Sequence, residues 1–169
     1  MPRGKKGSGR PKQLSRAARC NEATKQLRQQ ADEARSIAEF IAALANQTLI
    51  GFRAAKVRID SLGVDTDEFE SLKEEIESWR DNMPENMQNS DKYNLLDDIA
   101  NCLDSVCSEL NAIEVPTLEM AEKDEDVNVA ELAAVIEDVE LVDTLNTFAE
   151  ECEAQADEAD NVEFPGMMG

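Results

Sequence analysis

The sequence contains no histidine. That removes the side chain that most often acts as a general base near neutral pH, and the commonest nitrogen ligand for metals. A Ser-His or Cys-His nucleophile pair cannot be assembled from this chain alone. Aromatic residues make up only 4% of 169 residues. A thick globular core is therefore not expected, because aromatics carry large buried areas. No apolar run approaches the roughly 20 residues that span a bilayer. The basic start is followed by no apolar segment of the kind a secretory signal needs. Neither a membrane contact nor a cofactor is expected.

Cysteine is scarce and unpatterned: Cys20, Cys102, Cys107 and Cys152, with no C-x-x-C. Buried, reduced thiols are the expectation. Cys102 and Cys107 stand five apart, so on one helix they point in different directions and make poor disulfide partners. Glycine and proline are also few, at 7 and 5. What remains is rich in Ala, Glu, Leu and Asp, a helix-prone mixture poor in strand formers. The fold class read from this is all-α, with narrow apolar stripes rather than a thick core.

Charge is unevenly spread. Residues 1–58 hold 13 Lys/Arg against 4 Asp/Glu, whereas residues 59–169 hold 4 against 33. The chain is a bipolar molecule of net charge −20. Its first 19 residues carry Arg3, Lys5, Lys6, Arg10, Lys12, Arg16 and Arg19, and no acid. Pro2, Gly4, Gly7, Gly9 and Pro11 oppose helix there. Residues 1–19 therefore read as a disordered basic arm that contacts nucleic acid or an acidic protein surface, with a salt-sensitive affinity. Two bland alternatives are a solubilising tail and a segment that neutralises the protein's own acidic half. Gly9-Arg10-Pro11-Lys12 resembles part of the AT-hook core, with Ser8 where that core carries Arg.

From about Gln13 to Leu62, apolar and small residues recur at alternating steps of three and four. The series includes Leu27, Ala34, Ile41, Phe52 and Ile59. This is a heptad seam, and it predicts one long coiled-coil-like helix over 20–63. Such a helix is too long for the later helices to cover, so a homo-oligomer is expected. Gly63 ends it. Residues 64–115 then read as an αα-hairpin. Asp65 stands as N-cap with Glu68 three residues on, Pro84 stops the first helix and Ser90 caps the second. Residues 116–127 read as a loop, with Met120 as a possible anchor. Asn128 opens an acidic helix over 128–157, and 158–169 form a flexible tail.

The turn of the hairpin reads "WRDNMPENMQNS". Its Trp79, Asn82, Pro84, Glu85, Asn86, Gln88 and Ser90 resemble a recurring element of small acidic bacteriophage-encoded proteins. There a Trp or Tyr ends one helix and an Asn-x-Pro-Glu-Asn-x-Gln-x-Ser turn opens the next. The resemblance covers the hairpin and implies phage origin and local fold, without implying an activity. It also implies a location in the host cytoplasm or the virion. By turn chemistry alone, Trp79, Asn82, Pro84, Asn86 and Ser90 stabilise the hairpin, with an exposed partner-binding tip as the alternative.

The carboxylate clusters "DTDEFE" and "DEDVN" lack the ligand order of a calcium loop, so no metal is expected. Two functions remain in view. One is a non-enzymatic, phage-type interaction or assembly protein that uses the basic arm on a polyanion and the acidic helices on proteins. The other is an acidic DNA mimic that inhibits a host restriction or defence enzyme.

Overall fold

The computed structural model describes residues 14–43, 48–138 and 140–166. Among these it is all-α, with six α-helices, two single 3-10 turns and no strand. The helices are α1 (Arg16–Ala42), α2 (Leu49–Asp60), α3 (Asp67–Asp81), α4 (Asp91–Ala112), α5 (Val129–Asp138) and α6 (Leu141–Asp160).

The single long helix expected over 20–63 is two helices. Thr48, inside the expected long helix, is the N-cap of α2: its hydroxyl accepts from the Gly51 N–H at 3.1 Å. A side-chain oxygen in that position satisfies one of the free N–H groups of a first turn. α2 runs back along α1. Arg58 bonds Glu33 at 2.8 Å and Ser36 at 2.9 Å, and the Gly63 N–H reaches Gln30 at 3.1 Å. Phe52, Ala55, Ile59 and Leu62 thereby cover Ala34, Ile37 and Ile41 within one chain.

α1 and α6 form the antiparallel spine. Arg28 meets Asp157 and Asp160, and Arg35 meets Glu153 seven residues farther along α1. Small residues line their contact: Ala31, Ala34 and Ala38 on α1, Ala149, Cys152 and Ala156 on α6, all buried. Small side chains let helix axes approach to the short end of the usual 8–10 Å.

The spine divides two cores. The amino-terminal half of α1 and carboxyl-terminal half of α6 pack on the α3–α4 hairpin through Leu27, Phe69, Leu72, Ile76, Leu96 and Leu103. The other halves pack on α2 and α5 through Ile37, Phe52, Leu132, Leu145 and Phe148. The connection 116–127 is pinned to this second core by buried Leu118 and partly buried Met120.

Three further expectations are corrected. The acidic helix over 128–157 is the pair α5 and α6. Glu140 between them has φ 52° and ψ 45°, a left-handed conformation that an L-residue does not adopt inside a right-handed helix. α6 also extends to Asp160, and partly buried Val162 and Phe164 pack on the α3–α4 core, so 158–166 are not a free tail. Asp65 accepts from the Asp67 N–H at 2.9 Å while Thr66 occupies the cap position. Ser90 and Asn128 cap α4 and α5, accepting from Tyr93 and from Ala130 and Glu131.

Candidate functional site

The seven basic residues assigned to the arm fall into two groups. Arg3, Lys5, Lys6, Arg10 and Lys12 lie outside the described residues. Arg16 and Arg19 belong instead to the first turns of α1, which Ser15 caps by accepting from the Ala18 N–H at 3.1 Å. Both arginines face α3. Arg19 bonds Glu68, Glu75 at 2.5 Å and Ser71 at 3.2 Å. Arg16 bonds Glu75 at 3.0 Å. These are clasps that hold α1 to α3. Arg16 and Arg19 are therefore part of the helical bundle and not of the segment expected as an arm.

The cause of the misreading is local. Ser15-x-x-Ala18 is a helix start, and the charge run continues across it without a break. Glu75 shows the strength of the clasp. Burial raises its carboxyl pKa, but the bonds from Arg19 and Arg16 outweigh burial, so the group lies below the ordinary carboxylate value.

Directly beside this clasp is Trp79. The Arg16 guanidinium lies 5.1 Å from its ring centroid and the Lys92 ammonium 4.6 Å. Cations at such distances are attracted by the ring's quadrupole. Asn82, Pro84 and Ser90 make bonds within the turn. Asn82 Nδ2 donates to the Ser78 carbonyl at 2.7 Å. Pro84 (φ −56°, ψ 148°) enters the 3-10 turn, and its carbonyl accepts from the Met87 N–H at 2.8 Å. Met83 is buried, and Asn86 and Met87 are exposed. Phe164 and Pro165 lie beside Leu14, Arg16 and Glu75, lining a groove of about 510 Å³ at the start of α1.

The five seam residues Leu27, Ala34, Ile41, Phe52 and Ile59 are all buried inside the chain. They serve as intramolecular core, because α2 and α6 supply the cover that a lone rod would have lacked.

The larger pattern concerns cations, and the sequence alone did not reveal it. Residues 14–166 hold 12 Lys/Arg against 37 Asp/Glu, a formal −25. Ten of those twelve cations are in ion pairs. An eleventh, Lys92, lies over Trp79. Lys25–Glu22 and Lys56–Asp60 pair within one helix, but the other eight cations reach across to elements distant in the chain, which no local pattern announces. The bundle surface is thus a field of acids, with eleven of its twelve basic groups already engaged.

The thiols offer little chemistry. Burial pushes Cys20 and Cys152 up to about 11, and raises Cys102 and Cys107 as well. At neutral pH they are thiols rather than nucleophilic thiolates. Among the described residues, no group of three or more Cys, Asp or Glu side chains stands where it could hold a metal ion. Asp124, from one carboxylate cluster, pairs with Arg53 at 3.0 Å. No described helix is long and apolar enough to cross a membrane. No protein-family model matches the chain, and neither a curated protein nor a solved structure matches it.

Proposed function

We propose that this is a non-catalytic binding protein whose basic segment, residues 1–13, attaches an acidic helical bundle to nucleic acid. The observation that carries the reading is the segregation of charge. Arg3, Lys5, Lys6, Arg10 and Lys12 have no acid within the first 13 residues. The cations of the bundle, by contrast, are matched almost one for one by carboxylates. A cationic segment on a body of −25 has a clear electrostatic use: it contacts phosphates while the body repels them. The body then stands off the polyanion and keeps its acidic faces for protein contacts. A phage-type assembly protein is the setting we favour, supported by the resemblance of the Trp79–Ser90 turn.

The test is fluorescence anisotropy with duplex DNA and single-stranded RNA over a salt series. Five phosphate contacts predict that log K falls with log salt at a slope of about −4.5 on duplex DNA. Replacing all five basic residues by Ala abolishes that binding, whereas Arg16→Ala leaves the slope unchanged. Absence of salt-sensitive binding by the full chain would sink the reading.

A second reading, mimicry of DNA by the acidic surface, is favoured by one observation. Asp143, Glu150, Glu151 and Glu158 are exposed along α6 and none of them is in an ion pair. Under that reading the five Ala substitutions preserve inhibition of a DNA-binding enzyme, and Glu→Lys changes on α6 remove it.

A further inference from the structure

α2 carries apolar side chains that the described chain leaves in water. Ile50 is 83% exposed and Val57 71%. At about 100° per residue, Ile50, Ala54, Val57 and Ser61 fall within a sector of about 60°. The opposite side of the same helix, Phe52, Ala55 and Ile59, is buried. A surface helix ordinarily turns polar residues outward, whereas α2 is apolar on both sides.

The surroundings of the stripe favour one kind of occupant. Its flanking cations are engaged: Arg53 with the Ala121 carbonyl at 2.7 Å and Asp124, Arg58 with Glu33 and Ser36. α2 itself holds three Lys/Arg against one Asp, while α3, α4, α5 and α6 carry formal charges of −5, −4, −3 and −7. Among the helices that lie outside the spine, α2 is where a second acidic body meets least repulsion.

The two terminal segments outside the described residues fit poorly. Residues 1–13 offer no apolar side chain beyond Met1 and two prolines. Residues 167–169 depart from Gly166, which lies beside Ser15 and Arg16, and three residues reach about 10 Å. The stripe is at the far end of α1, whose 27 residues span about 40 Å.

We propose that the Ile50–Ala54–Val57 stripe packs against the same stripe of a second copy. The two α2 helices run antiparallel about a two-fold axis near Ala54. That arrangement sets Ile50 against the partner's Val57, with the small Ala54 at the crossing where the helices come closest. The stripe is only about 10 Å long, so the contact is at the small end of specific interfaces and the dimer is weak. Because each copy is strongly acidic, added salt tightens the dimer by screening repulsion. This is opposite in sign to the arm's binding of phosphates, and it does not rest on that binding.

Sedimentation velocity on the full chain, from about 10 µM to about 1 mM, tests this. The expected result is a monomer–dimer equilibrium that strengthens at high salt and weakens about tenfold or more in Ile50→Asp and in Val57→Asp. Leu95→Asp, on an exposed apolar residue of α4, leaves it unchanged. Should an Asp variant lose helicity, Ile50→Ser replaces it. Cross-linking fixes the register. In a Cys102→Ser background, Ala54→Cys forms an intermolecular disulfide under oxidised glutathione, and Glu109→Cys on α4 does not. A chain that stays monomeric throughout, a dimer indifferent to both Asp variants, or equal cross-linking at 54 and 109 overturns the proposal.

Discussion

Arg35 and Glu153 meet through two nitrogens and two oxygens, at 2.5 and 2.7 Å, across 118 residues of sequence. The paired fork fixes the register of α1 against α6 midway along the spine. The bond from Arg35 also holds the Glu153 carboxyl below its ordinary pKa. A depressed carboxylate contributes stability above its unfolded value, and that contribution is lost as pH falls through the folded value. The pair is still partly open to solvent, so Arg35→Ala should cost only about 0.5–1 kcal/mol at neutral pH. Urea melts at pH 7 and at pH 3 check this. The difference between wild type and variant should shrink at the lower pH, and an undiminished difference there would mean that the pair is not its source.

The close approach of α1 to α6 rests on residues without bulk. Ala34 and Ala149 are fully buried. Ala34→Leu is therefore expected to destabilise by about 1–3 kcal/mol or to loosen the fold. Phe148→Ala, which empties part of the second core, should cost about 3–5 kcal/mol. Denaturant midpoints measure both. If Ala34→Leu melts like wild type, the helices do not pack as closely as described.

The thiols should separate into two classes toward a disulfide reagent. Cys20, Cys107 and Cys152 are buried and Cys102 is half-buried. One thiol, lost in Cys102→Ser, should react in the native protein near pH 8, and the other three only on unfolding. Rapid labelling of all four without denaturant would contradict the packing of α6 against α1 and α4.

Glu140 has a positive φ without glycine's freedom. Glu140→Gly should be neutral to stabilising, up to about 1 kcal/mol, because relief of the left-handed strain offsets the greater chain entropy of glycine. A thermal melt decides it, and a clear loss of stability would mean that the Glu140 side chain holds the α5–α6 junction by contacts rather than bearing strain.

Much of this molecule was legible in its sequence. The caps at Ser90 and Asn128, the stop at Pro84 and the stripes of α3 and α4 are local signals, each written within a turn or two of the residue it concerns. The stripe positions from Cys20 to Ile41 and from Phe52 to Leu62 are buried as the periodicity predicts, but their cover comes from within the chain. Periodicity reports that a side chain faces a neighbour without saying which. The step of three and four runs in phase across Thr48, so two antiparallel helices looked like one rod, and only Thr48's hydroxyl, with Gly51 three residues on, marked the break.

Composition, caps and periodicity determined that the chain is helical, that histidine chemistry is absent, and that its cations gather at one end. The tertiary structure alone decided that α6 and α2 cover the stripe, that Arg16 and Arg19 clasp α3 instead of extending the arm, and that Ile50 and Val57 remain uncovered. Helix formation and capping depend on neighbours within a few residues, whereas burial and ion pairing depend on which distant surfaces the fold brings into contact.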